Sequence, residues 1–198
     1  MTTPLSGPTD GRTDGRVARR QGTRDAIMDA ATELFAASGV TSTSIDDIAA
    51  AAGIAKGSIY YNFDSKSGLV EAIMTRSSER LADALIEARQ GRSGDALREA
   101  VVRALLLLVQ ENASSARVMV TELFRTERSW RDSIETWREI ALSPLVEDFN
   151  EAGVDPVVAG VQAAAIVGAA LVAGLEWLVF HPERSAEQVA SAVLGTLR

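Results

Sequence analysis

The segment Gly53-Ile-Ala-Lys-Gly-Ser-Ile-Tyr-Tyr-Asn-Phe63 gathers both tyrosines of the chain beside a lysine and a serine. Phenolic hydroxyls and a lysine ammonium are donors to phosphate oxygens, and a serine hydroxyl reaches a phosphate or a base edge. A buried core accounts for Ile59 and Phe63 but not for the polar set around them. If those two face inward, Lys56, Ser58, Tyr60 and Tyr61 lie on or near the outer face, and Gly57 permits close backbone approach. Other chemistries are poorly supplied. Cysteine is absent, so there is no disulfide framework and no thiolate metal site. The lone histidine, His181, sits beside Pro182 at a helix end and leaves little for a catalytic pair or a zinc centre. With no glycine-rich phosphate loop and no paired metal motif, the reading assigns no catalytic residue, no metal and no cofactor.

The elements that must position these residues are helical. Apolar residues recur with helical spacing from Thr23 onward and no run alternates with period two. Ile27, Ala31, Leu34 and Phe35 form one stripe, closed by Gly39 as a C-cap. Ser44 and Asp47 have capping-box spacing, with Ile45, Ile48 and Ala49 following inward. Gly53 breaks that helix, a short one follows from Lys56 to Phe63, and Ser65 caps a long one from Lys66 to about Arg89. Further helices are expected over 95–112, 114–126 and 129–153, the last with a kink at Pro144. Asp155-Pro156 opens another that reaches Phe180, and Ser185 with Gln188 opens the last. The fold class is therefore all-α, with about nine helices.

The formal charge is −7, a weak argument against bulk nucleic-acid binding, but its distribution matters more. Residues 1–22 carry Arg12, Arg16, Arg19 and Arg20 against two aspartates. They lack apolar periodicity and are expected to form a disordered basic arm. The acidity lies mainly beyond residue 66. No apolar signal segment is present at the N-terminus, and a cytoplasmic protein is expected. The uncharged run Ala163–Leu175 stops at Glu176, short of the roughly 20 residues a bilayer needs, so no membrane partner is expected.

Ser44 to Asn62 has the spacing of a helix-turn-helix, with small Ala49 at the crossing, Gly53 in the turn and Ile48, Ile54 and Ile59 as the wedge. The linked segments AATELFAASGV (30–40), TSIDDIAAAAGIAKGSIYYNF (43–63) and DSKSGLVEAIM (64–74) resemble the DNA-binding domain of TetR-type transcriptional regulators. The resemblance implies DNA contacts from Ser44, from Lys56, Gly57 and Ser58 at the start of the recognition helix, from Tyr60 and Tyr61, and from Lys66. Asn62 stands where many relatives have histidine and keeps a hydrogen-bonding side chain. The implied division is an arm over 1–22, a DNA-binding domain over 23–68, and an effector-binding and dimerisation domain over 69–198.

Small residues at four-residue steps, Gly160, Ala164 and Gly168, allow close helix approach, with Leu171 and Leu175 on the same helix. This agrees with a family that dimerises through its last two long helices. The resemblance also implies a mostly apolar effector cavity, for which Leu105, Met119, Glu122, Leu123, Phe124 and Trp137 are candidates. The expected partners are double-stranded operator DNA, a small-molecule effector and a second copy of the chain. The expected function is a ligand-responsive homodimeric regulator, a repressor released from a partly palindromic operator. A helical small-molecule binding protein or enzyme with an idle DNA-binding domain is the alternative.

Overall fold

The computed structural model describes residues 11–123 and 130–196. Among them are nine helices and no strand: α1 (Gly11–Ser38), α2 (Ile45–Ala52), α3 (Lys56–Asn62), α4 (Lys66–Arg89), α5 (Gly94–Glu111), α6 (Ala113–Leu123), α7 (Arg131–Glu151), α8 (Pro156–Phe180) and α9 (Ala186–Thr196). The all-α expectation is met. The start of α1 differs, because it begins at Gly11 and takes in residues assigned by sequence to a disordered arm. No proline interrupts the chain between Pro8 and Pro144. Arg, Gln and Ala are good helix formers, so a helix nucleated further on extends backwards at little cost. That nucleus is the stripe Ile27, Ala31 and Phe35, all buried.

Most helix ends obey local signals. The Ser44 hydroxyl accepts from the backbone N–H of Asp47, and the Ser44 N–H donates to the Asp47 carboxylate, a complete capping box. Gly53 takes the left-handed conformation, φ 66°, that ends α2, and its position favours glycine for that reason. Ser65 accepts from Gly68 N–H, Asp155 from Val157 and Val158, and Ser185 exchanges bonds with Gln188. The start of α5 is different. Ser93 makes no cap bond, and Gly94 N–H donates instead to Asp148 of α7 at 2.7 Å. Arg98 adds its guanidinium over the Phe149 ring, 5.5 Å from its centre. A tertiary carboxylate therefore replaces the missing local cap.

Packing follows from these directions. α2 and α1 pack on each other, and α3 packs on α2. α4 touches α1 and also lies against α5 and α7, so it joins the first three helices to the rest. α8 sits against α5, α7 and α9. It packs tightly on α5 at Gly174, where an added Cβ would stand 3.1 Å from Val109 and 3.2 Å from Leu106. α7 runs as one helix through buried Pro144. α8 is long and apolar enough to cross a membrane by length and composition alone, yet Ala159, Ala163, Ile166, Val167 and Ala170 on its inner face are buried in the common core.

Replacing Asp148 by alanine should cost about 1–2 kcal/mol, the scale of a lost helix cap with a charged acceptor. Urea denaturation of the two proteins checks this, and an unchanged midpoint would contradict the tertiary cap.

Candidate nucleic-acid interface

The helix-turn-helix is held from beneath by Ile48, fully buried, and by Ile59 and Phe63, also buried. Ile54 packs against this core from a half-buried position. The turn closes through Gly53 N–H to Ala50 O at 3.2 Å and Ile54 N–H to Ala49 O at 3.0 Å. With that face inward, Tyr60 is 49% and Tyr61 72% exposed. Gly57 is exposed, and a Cβ built there meets nothing within 4 Å, so the backbone of α3 is open to approach. These three residues lie where the sequence places them.

Ser44 and Lys56 are exposed but already engaged. Ser44 gives its hydroxyl hydrogen to Asp47 at 2.6 Å. Those bonds, from the Ser44 hydroxyl first and its N–H second, lower the pKa of Asp47. Lys56 pairs with Asp46 at 2.9 Å, and the hydrogen bond and charge of that carboxylate raise the lysine's pKa above its ordinary value. Asp46 thus holds the ammonium beside α2. Ser58 is half-buried, and its carbonyl accepts from the Asn62 side-chain amide at 2.8 Å.

Two further site residues bond within the chain in this conformation. Asn62 folds back on its own helix, with Oδ1 buried and without a hydrogen-bond partner, so in this conformation it serves α3 and not the outer surface. Lys66 points its ammonium at the α1–α2 connection, donating to Thr43 O at 2.6 Å and Thr41 O at 3.2 Å. It ties the start of α4 to the loop before α2. Sequence reasoning also missed Arg24, whose guanidinium donates to Asn62 O at 2.7 Å and stands 4.2 Å from the centre of the Phe63 ring. Arg24 thereby caps the C-terminal end of α3. Arg20, one turn earlier, stands 5.2 Å from the centre of the Tyr61 ring. Both contacts are long-range pairings between α1 and α3, which no local pattern announces.

A second feature lies in the C-terminal helices. Leu105, Met119 and Trp137 line a cavity of about 50 Å³, together with Leu81, Val109 and Leu171. Glu122 is not among its walls; it is buried and accepts from Trp130 Nε1 at 3.2 Å. Leu123 closes α6, and Phe124 lies outside the described residues. Leu171 is buried in the core and lines the cavity, so its expected place on a dimerisation surface is corrected: helical rotation carries it to the inner face of α8. Ala164 is exposed and Gly160, Gly168 and Leu175 are half-buried. Beside them Val157, Val161, Val172 and Val179 are exposed, an apolar strip along α8.

A wedge-supported pair of short helices presenting tyrosines, carried on a helical body, is a helix-turn-helix arrangement. Residues 27–73 match the family model "Bacterial regulatory proteins, tetR family". Residues 27–73 therefore form a domain of the tetR-family type. It is 39% identical over 86 residues to the HTH-type transcriptional regulator AcrR of Shigella flexneri, covering 43% of this chain and 39% of that protein. The chain spans less than half the length of the curated relatives it matches. Its fold is similar over most of the chain to the fatty acid degradation regulator FadR from Bacillus halodurans, with TM-score 0.73, 20% identity, and 88% and 94% of the two chains covered. It is also similar to AibR, solved in complex with isovaleryl coenzyme A and operator DNA, with TM-score 0.70, 24% identity, and 88% and 97% covered.

Tyr61→Ala should weaken binding to DNA fragments of any sequence while leaving thermal stability unchanged, because the ring is mostly exposed. Lys66→Ala should lower both, since its donors hold the loop before α2; melting curves beside gel shifts separate the two behaviours. Folding lowers the Asp47 pKa, so its stabilisation is present above the ordinary carboxylate value and is lost as pH falls through the lowered one. The melting-temperature gap between the natural chain and Asp47→Asn should therefore close as pH falls below about 4.

Proposed function

We propose that the protein is a homodimeric, ligand-responsive transcriptional repressor of the cytoplasm, released from a partly palindromic operator by a small, largely apolar effector. The observation that carries this reading is the outer face of α3, where Tyr60, Tyr61 and open Gly57 stand above a buried Ile59. In such a motif the second helix enters the major groove while neighbouring groups hold phosphates. Residues 23–68 serve as the DNA-binding domain and 69–198 as the effector and dimerisation domain. Ser44, Lys56, Ser58 and Lys66 are the neighbouring contacts, and DNA draws Lys56 away from Asp46. Support for an effector comes from the apolar cavity beneath α4 and from AibR, which shares the helical layout and was solved with a ligand and operator DNA.

The apolar strip of α8 supports a two-fold dimer, in which each copy presents the same surface and each α3 reads one half-site. Gly160 and Gly168 fit that arrangement, since a Cβ at either meets nothing within the single chain. Gel shifts on DNA fragments from the regions flanking the protein's own gene test the reading directly. Retarded bands with a partly palindromic footprint are expected, and no retardation of any fragment would overturn it.

Val172→Glu places a charge on a side chain that is 61% exposed in the single chain. In the proposed dimer that charge is buried without a partner, so dissociation should rise at least about 100-fold. Sedimentation equilibrium checks this, and an unchanged dimer would place the interface elsewhere.

A further inference from the structure

The cavity beneath α4 has a polar end. Its walls are apolar, but Ser77, Arg80, Asn112 and Ser115 complete the lining, and Arg80 is the one charged residue among them. Arg80 belongs to α4, and its Nη1 donates to the side-chain carbonyl of Asn112. Asn112 is the single residue between α5 and α6. One hydrogen bond therefore ties α4 to the α5–α6 corner across the end of the cavity. Its acceptor is neutral. A carboxylate accepts from a guanidinium roughly twice as strongly and can do so in a two-pronged geometry, so Asn112 is a partner that an acidic ligand can replace.

The surroundings limit how much negative charge such a ligand can bring. The adjoining surface hollows are lined by Asp29, Glu33, Asp83 and Glu111. Arg76, the other cation there, is paired with Asp29 at 2.8 Å. A head group carrying several phosphates meets four carboxylates and a single cation with a replaceable partner. One carboxylate meets a matched site.

We infer that the cavity takes a monocarboxylic amphiphile, its carboxylate on Arg80 in place of Asn112 and its apolar body among Leu81, Leu105, Met119 and Trp137. The inference rests on the effector-binding reading of the C-terminal helices and adds the ligand's chemical class and its clamp. It also accounts for the small free volume. About 50 Å³ holds a few waters, whereas ligand pockets run from about 300 Å³ upward. The ligand must therefore part the walls as it breaks the Arg80–Asn112 bond, which frees α4 from the corner. Because it fits the parted form only, it shifts the position of the helix whose start carries Ser65 and Lys66.

The test is tryptophan fluorescence of the full chain without DNA, since Trp137 lines the cavity. Hexanoate, octanoate and dodecanoate are titrated beside the matching amides, amines and coenzyme A thioesters. At least one carboxylate should bind saturably and at least about tenfold tighter than its amine and its thioester. Arg80→Gln should weaken it about tenfold, with Arg80→Lys recovering part of the loss. Asn112→Asp gives Arg80 a built-in carboxylate, and should weaken the same ligand while raising the melting temperature. This second variant decides the matter should Arg80→Gln fold poorly. Binding by no carboxylate, a thioester or amine that binds as tightly, or indifference to Asn112→Asp would overturn the inference. Carboxylate binding that leaves operator gel shifts unchanged would uphold the site and count against the regulatory reading instead.

Discussion

The burial of Ile59 and Phe63 beneath α3 is the interaction on which the DNA-facing surface depends. Seven residues make a helix far too short to persist alone in water, and Ala55 at its start makes no side-chain cap bond. α3 exists because its inner face is held against α2 and because Arg24 closes its far end through the Asn62 carbonyl. The outward tyrosines are a consequence of that anchoring. A change that loosens the wedge removes the helix and the interface together, and no surface residue can compensate.

The same economy governs α4. Its start is fixed to the loop before α2 by Lys66 and its own cap by Ser65, while its middle is fixed to the α5–α6 corner by Arg80. Arg76 adds a pair to Asp29 of α1, and Ser114 of α6 donates to Glu33 of α1 at 2.8 Å. The two parts of the chain are thus joined by directional bonds between polar side chains, with weak net energies and strict geometry. Such joints set orientation more than stability.

What the sequence revealed follows the range of the physics. Caps at Ser44, Ser65, Asp155 and Ser185 act within a few residues, and their positions were legible. So was the face of α3, because Ile59, Tyr60 and Tyr61 are fixed relative to one another by helical rotation. The cap of α5 was not legible, since Asp148 is far along the chain from Gly94. The resemblance turns Lys66 and Asn62 toward DNA, whereas in this conformation Lys66 bonds distant carbonyls of the α1–α2 loop and Asn62 bonds the Ser58 carbonyl of its own helix. The contact of α8 with α5 was not legible either. Gly174, which the four-residue steps omit, is the one that meets α5, whereas Gly160 and Gly168 face open space within the chain. Period alone does not say which side of a helix already has a neighbour.

Pro144 gives α7 an uneven compliance. It offers no N–H to the carbonyl of Ile140, and helices bend most cheaply where a rung of the ladder is missing. On one side of that joint, Asp148 and Phe149 are moored to Gly94 and Arg98 of α5. On the other side stands Trp137, a wall of the cavity. The N-terminal half of α7 can therefore swing as a door while its C-terminal half stays as the post. A bend at this built-in crease moves the Trp137 wall and leaves the mooring of α5 undisturbed.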